Sequence, residues 1–400
     1  MQINPGHHLT YCTNIHPGES WPEVLASLDH LLKVKQLTEV DGPFGIGLRL
    51  SARAAEELAG TQELTSFRRW LSDHECYVFT MNGFPYGEFH GERVKDDVYT
   101  PDWTTRDRVD YTIRLFGILA ELLPAGMDGG ISTSPLSYRF WFTSEEELAR
   151  ATRVSTRHLM EVVLHLVRIK ERTGKSLHLD IEPEPDGILE NSQEFTDFYR
   201  KVVLTQGLDW LQRELGVPRA TAEAAIREHL TLCWDVCHFA VAYESPADVL
   251  QNMREAGIRV GKLQISAALK ADLTEDRAAV HAALLPYDEP TYLHQTALRH
   301  RRGNIRQFPD LGPGLAALSD PAYTELRTHF HVPIYTDCYG RLQSTNDAIA
   351  ETLKLWKADP FTHHLEVETY TWDVLPDHQR LTLTDSIHRE LEWVRNQLNR

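Results

Sequence analysis

The sequence predicts an α/β protein built as a single (β/α)8 TIM barrel, and three observations carry that prediction. Eight short β-rich runs alternate with longer segments of helical period along the 400 residues. Strands separated by helices run parallel through right-handed crossovers, and eight is the number that closes such a sheet on itself. An open doubly wound sheet usually shows a glycine-rich phosphate loop after its first strand. Here that position reads Asn14-Ile15-His16-Pro17-Gly18-Glu19, which carries no such fingerprint.

In chain order the strand runs are Leu9–Asn14, Gly45–Ser51, Cys76–Asn82, Gly130–Ser134, Ser176–Glu182, Leu230–Asp235, Arg259–Ser266 and His364–Tyr370. Between the first two, Ser20-Trp21-Pro22-Glu23 opens a helix with an S-x-x-E capping box and an early proline. Thr105–Leu123 is helical by its apolar stripe of Val109, Ile113, Leu115, Phe116 and Leu119. Ser155–Arg172, Ser192–Leu215, Pro246–Ala256, Thr345–Ala358 and the closing Thr384–Leu398 follow.

One stretch breaks the alternation. Residues 267–363 lie where a simple barrel needs one helix, and they include two extended runs, Tyr292–Leu298 and Arg327–Tyr335. The runs are read as a hairpin. An insertion in a βα loop falls on the catalytic face, so 267–363 is expected to be a lid within one domain spanning 1–400.

Composition narrows the function classes. A content of 42% hydrophobic and 25% charged residues is that of an ordinary folded soluble chain. The net charge of −17 disfavours nucleic acid and anionic membranes as partners. Five scattered cysteines (Cys12, Cys76, Cys233, Cys237, Cys338) fit reduced thiols better than a disulfide framework. With an N-terminus unlike a signal peptide and no apolar run long enough to span a bilayer, the expectation is a cytoplasmic protein. Against the acidic background, Arg299, Arg301, Arg302 and Arg306 cluster in RHRRGNIR, either a solvated loop or an anion clamp.

The chemistry gathers at strand ends. The fifth run ends Asp180-Ile181-Glu182-Pro183-Glu184, the sixth Trp234-Asp235-Val236-Cys237-His238, and the seventh Gln264-Ile265-Ser266; the eighth reads Glu366-Val367-Glu368. Four adjacent strands therefore bring Glu182, Asp235, Gln264 and Glu368 to equivalent heights at one mouth. Three buried carboxylates repel one another unless a cation neutralises them, so a divalent metal is expected there. His329 and His331 alternate on one predicted strand and would face the same way, as metal chelators or substrate contacts. Tyr11, Asn14 and His16 on one side of the mouth, and the loop from Asn82 through Phe84, Tyr86 and Phe89 to His90, suit a hydroxylated ring.

Glu-Pro ending the fifth strand, D-x-x-H at the sixth and a glutamate ending the eighth resemble the xylose-isomerase-like superfamily of ketose epimerases, sugar-phosphate isomerases and endonuclease IV-type repair enzymes. More closely, HLTYCTNIHPGESW (8–21), WDVCHFAVAYE (234–244), HFHVPIYTD (329–337) and HLEVETYTWDVLP (364–376) resemble the metabolite-traffic protein EboE family. That resemblance implies a xylose-isomerase-like barrel and a setting in secondary-metabolite precursor metabolism. The superfamily's epimerase branch implies Glu182 and Glu368 as metal ligands and acid/base pair, Asp235 as a ligand, and His238 at a substrate oxygen. Gln264 stands where the epimerase branch has histidine. An all-oxygen set Glu182, Asp235, Gln264 and Glu368 favours Mn2+ or Mg2+ over Zn2+; alternatively an insert histidine (His294, His329 or His331) fills the vacancy.

The expected activity is metal-dependent isomerisation or epimerisation of a polyhydroxylated small molecule, a sugar, cyclitol or sugar-phosphate-like compound. Asn14, His16, Asn82, His294, Arg299, His329 and His331 are the expected substrate contacts. A non-catalytic binding or traffic protein that keeps the metal pocket is the alternative.

Overall fold

A computed structural model describes residues 1–40, 42–87, 95–372, 375 and 382–399. Eight strands form the barrel: β1 (His7–Tyr11), β2 (Phe44–Arg49), β3 (Cys76–Asn82), β4 (Gly129–Thr133), β5 (Leu177–Ile181), β6 (Leu230–Asp235), β7 (Val260–Ile265) and β8 (His364–Val367). From β2 to β8 each pairs in parallel with the next. β8 also lies parallel to β1, with Leu365 opposite Leu9, and a parallel bridge from Cys12 to Gly47 closes the ring. A short strand, Gln2–Asn4, adds to β1 antiparallel.

The first strand is shorter than the sequence suggests. Thr13–Ile15 turns into a 310 helix because the Thr13 hydroxyl accepts the Arg49 amide at 2.9 Å, substituting for a strand partner. That turn brings Asn14 into the mouth. The predicted capping box forms: Glu23 accepts the Ser20 amide at 2.8 Å and starts the helix Trp21–Leu37. Helix Arg106–Leu122 buries Val109, Leu115, Phe116 and Leu119 as its stripe requires, with Ile113 part-buried. The helix expected over Ser155–Arg172 begins earlier, at Glu145, and runs to Thr173. Its first turns are exposed and acidic, so no apolar period announces them. Ser192–Leu215 is helical throughout but widens to a π-helix over Tyr199–Gly207.

The insert forms its own six-stranded antiparallel sheet, ordered Ile305–Phe308, Thr296–His300, Tyr323–Thr328, Leu269–Asp272, Leu342–Ser344, Cys338–Tyr339. The two expected runs do pair, Thr296 opposite Thr328, but at the centre of a larger sheet and in shifted positions. Residues 329–335 are not a strand. Pro333 has no amide to give a ladder, and the His329 and Val332 amides are taken by Gln295 O (2.8 Å) and Ala267 O (3.0 Å). The hairpin expectation is corrected accordingly.

Cys12, Cys76, Cys233 and Cys237 are buried free thiols and Cys338 is exposed. Among the described residues no helix is long and apolar enough to cross a membrane.

The closing helix Leu383–Asn399 carries a buried carboxyl, Glu390. It accepts the Ile334 amide (3.2 Å) and the Thr369 hydroxyl (2.8 Å), joining the insert to the residue after Glu368. Burial pushes this carboxyl up from 4.5 to about 8. A raised carboxyl is neutral in the fold while the unfolded chain ionises. Its contribution is intact below pH 4.5 and is lost as pH rises to about 8, by on the order of 5 kcal/mol at the top of that range. Glu390→Gln is expected to remove this share, stabilising the protein at pH 8 relative to pH 5 in urea melts; a variant with unchanged pH dependence would contradict the assignment.

Candidate metal centre

Strand register delivers the carboxylates. Glu182 and Glu368 are the first residues past β5 and β8, yet their amides still donate to Thr133 O (2.9 Å) and Ile265 O (3.1 Å) on the neighbouring strands. Both side chains are therefore fixed at the rim. Asp235 ends β6, and Gln264 on β7 lies opposite both Asp235 and Glu366. Alternation along β7 and β8 makes two layers: Lys262 pairs with Glu366 below (2.6 Å), and Gln264 meets Glu368 above.

In the upper layer Glu182, Asp235 and Glu368 each place a carboxylate oxygen within 4.8 Å of the other two, all buried. Glu368 is held on both oxygens. Asn14 and Asn82 donate to Oε1 at 2.6 and 3.1 Å, and Gln264 Nε2 donates to Oε2. Asp235 Oδ1 accepts the Ser266 hydroxyl (2.7 Å) and the His238 amide (3.0 Å). Glu182 Oε2, Glu184 Oε2 and Asp235 Oδ2 are buried without a hydrogen-bond partner. Desolvation and the neighbouring acids hold the Glu182 carboxyl well above its usual range, and Glu368 rises to about 8, first from burial and next from Asp235.

Three histidines adjoin the acids. His238 Nδ1 faces Pro183 O (3.0 Å), His331 Nδ1 faces Glu368 O (3.0 Å), and His329 Nδ1 faces Gln295 Oε1 (2.8 Å). The Gln295 amide is oriented by its own donation to Pro185 O at 3.0 Å. Each acceptor fixes the proton on Nδ1 and leaves Nε2 a lone pair, which on His329 also meets the Tyr370 hydroxyl at 3.3 Å. His329 Nε2 lies 3.3 Å from the Nε2 of both His238 and His331. Burial lowers His238 to about 3 and His331 to about 4, and His329 well below its usual value, so no proton bridges them at neutral pH. Nε2 lone pairs in contact with one another, beside carboxylate oxygens without a hydrogen-bond partner, fit a bound cation. Asp235 belongs to both donor groups, lying within the same 4.8 Å limit of Glu182 and Glu368 and of His238 and His331.

Of the residues the sequence singles out, Glu182, Asp235, Glu368, His238, His329, His331, Asn14, Asn82 and Gln264 are brought together. Gln264 holds Glu368 through its amide nitrogen, while its oxygen faces the Cys233 thiol (3.6 Å); His331 of the insert forms a donor group with Asp235 and His238. Three others stand apart. His16 bonds Tyr11 OH (2.9 Å) and stacks on His30, and His294 supports His329 from behind through its carbonyl (3.0 Å). Arg299 pairs with Glu325 and covers the Tyr243 ring on the insert's surface. Arg306 lies over Phe308, so the arginine cluster lines no part of the pocket. Phe89 and His90 fall outside the described residues.

Sequence reasoning missed part of the cavity, whose volume is about 60 Å3. Glu184, Tyr99, Tyr292, Gln295 and Tyr370 line it as well. Burial raises Glu184 to about 8. The E-P-E spacing hinted at Glu184; the others come from loops whose placement no local period encodes.

No family model and no curated protein matches the chain. Among solved structures it is similar to the IOLI protein with a bound zinc atom, at 13% identity and TM-score 0.48 over 98% of this chain and 97% of that one. A xylose isomerase-like TIM barrel protein from Mycobacterium smegmatis in complex with magnesium gives 10%, 0.49, 98% and 96%. A sugar phosphate isomerase/epimerase proposed from Anabaena variabilis gives 11%, 0.49, 98% and 98%. These likenesses concern the barrel.

Proposed function

We propose that the protein is a divalent-metal-dependent isomerase or epimerase of a small polyhydroxylated compound. The observation that carries this reading is the buried triad Glu182, Asp235 and Glu368, extended through Asp235 to His238 and His331. These residues would hold the ion, with Mn2+ favoured because carboxylate and imidazole donors mix. When bound, the ion neutralises the triad and polarises a carbonyl, acidifying the adjoining C–H.

The two glutamates are not equivalent. Three amide donors orient Glu368 and commit both its oxygens, whereas Glu182 keeps Oε2 free. Glu182 is therefore the better proton acceptor, taking the proton from carbon as electrons move onto the carbonyl oxygen. For epimerisation Glu368 returns a proton from the other side; for isomerisation Glu182 returns it to the neighbouring carbon. The histidine Nε2 atoms, held neutral and unprotonated, would bind the ion or accept hydrogen bonds from the substrate's hydroxyls.

The committed state of Glu368 also favours a second reading, a binding or traffic protein that keeps the pocket without turnover. Incubating Mn2+-loaded protein with ketoses, aldoses and inososes in D2O separates the two. Deuterium incorporation next to a carbonyl, abolished in Glu182→Gln, is expected. Binding of these compounds without exchange would sink the enzyme reading.

A further inference from the structure

The cavity has two unlike halves, and only one is explained by the metal chemistry. Its floor is polar, made by Asn14, Asn82, Glu182, His238, His329 and Glu368. Its roof is apolar. Phe84, Tyr99 and Tyr138 form one buried cluster with Val98 and Leu293 packed against it, and Tyr292 forms another with Val98 and Tyr370. Both clusters are separate from the main core. The rings meet edge to face, Phe84 with Tyr99 at 5.4 Å and Tyr292 with Tyr370 at 5.1 Å. Val98 and Leu293 stay only part-buried and line the cavity, as does Pro85. Among the described residues, Lys95 is the one lysine or arginine lining it, and its ammonium is engaged by Asp310 at 2.6 Å.

A free sugar fills only the polar half of this arrangement. Stacking a pyranose on an aromatic ring leaves equatorial hydroxyls that need partners at the rim, and Val98, Pro85 and Leu293 offer none. Apolar surface facing a cavity gains most from an apolar occupant.

Resting on the metal reading, we propose that the substrate is an amphiphile: an oxygen-rich head over the carboxylate and histidine floor, carrying a hydrocarbon or aromatic substituent against Val98, Leu293 and the tyrosines. These roof residues then set specificity. Discrimination follows the size of the apolar substituent, by about fourfold per buried methylene.

Hydroxamates test this, because their paired oxygens chelate a cation while the acyl group varies. Calorimetric titration of Mn2+-loaded protein should show hexanohydroxamate and benzohydroxamate binding at least ~10-fold tighter than acetohydroxamate. Leu293→Asp and the near-isosteric Val98→Thr should shrink that ratio. Affinities equal within twofold across the series overturn the apolar subsite. A second probe, 4-fluorophenol followed by 19F NMR, needs no cation. It should bind wild type with or without chelator and be lost in Leu293→Asp; no binding overturns the proposal. If no hydroxamate binds while 4-fluorophenol does, the metal reading falls and the subsite stands.

Discussion

Lys262→Met is expected to destabilise the protein by about 3–5 kcal/mol. Lys262 and Glu366 are both fully buried, with Nζ 2.6 Å from Oε2, 3.1 Å from Met81 O and 3.3 Å from Ser132 Oγ. Removing the ammonium leaves the Glu366 carboxylate in low dielectric with no counter-charge. It cannot move aside, because its Oε1 lies against Gly47, where an added Cβ would come within 1.7 Å. The cost is thus that of an orphaned charge rather than of the pair, and Lys262→Met/Glu366→Leu should recover most of it. Urea denaturation of both single variants and the double variant measures the coupling. Additive losses would show that the two side chains act independently.

The second large effect changes sign with the metal. Without a cation, Glu182, Asp235 and Glu368 repel, and the Glu182 carboxyl is held well above its usual range chiefly by burial and then by Glu368. Glu182→Gln relieves this and sacrifices no hydrogen bond at Oε2, which has none. Chelator-treated Glu182→Gln is therefore expected to be more stable than wild type at pH 8, by on the order of 1–2 kcal/mol. With Mn2+ the order reverses. At 100 times its Kd the ion stabilises wild type by about 2.7 kcal/mol, whereas a variant binding about 100-fold more weakly gains only ~0.4 kcal/mol. Thermal melts with and without Mn2+ read both signs. A variant less stable in both conditions would mean that Glu182 has a packing role.

Much of the barrel was legible because its signals are local. Alternating periods located all eight strands, and S-x-x-E located a helix start. The carboxylates were legible for the same reason: a strand ending in Glu182, Asp235 or Glu368 places its last polar residue at the rim whatever surrounds it. The insert was less so. Its sheet depends on pairings between distant segments, such as Leu269–Asp272 with Tyr323–Thr328, and 329–335 reads as a strand until its amides are seen to be taken by Gln295 and Ala267. Hence His329 and His331 do converge, but through an irregular segment rather than strand alternation. Gln264 shows the same limit from the other side. Its position follows from register, yet whether it turns its oxygen or its nitrogen to the cavity depends on Glu368, Cys233 and the whole upper layer.

The metal content of freshly purified protein tests the central claim most directly. Elemental analysis after exchange into Mn2+, and separately into Zn2+, should find a bound divalent ion at one or more per chain in wild type. It should fall to a small fraction of that in Glu182→Gln, Glu368→Gln and His331→Ala. Equal stoichiometry in wild type and all three variants, or no retained ion in any, would contradict a centre built from these residues.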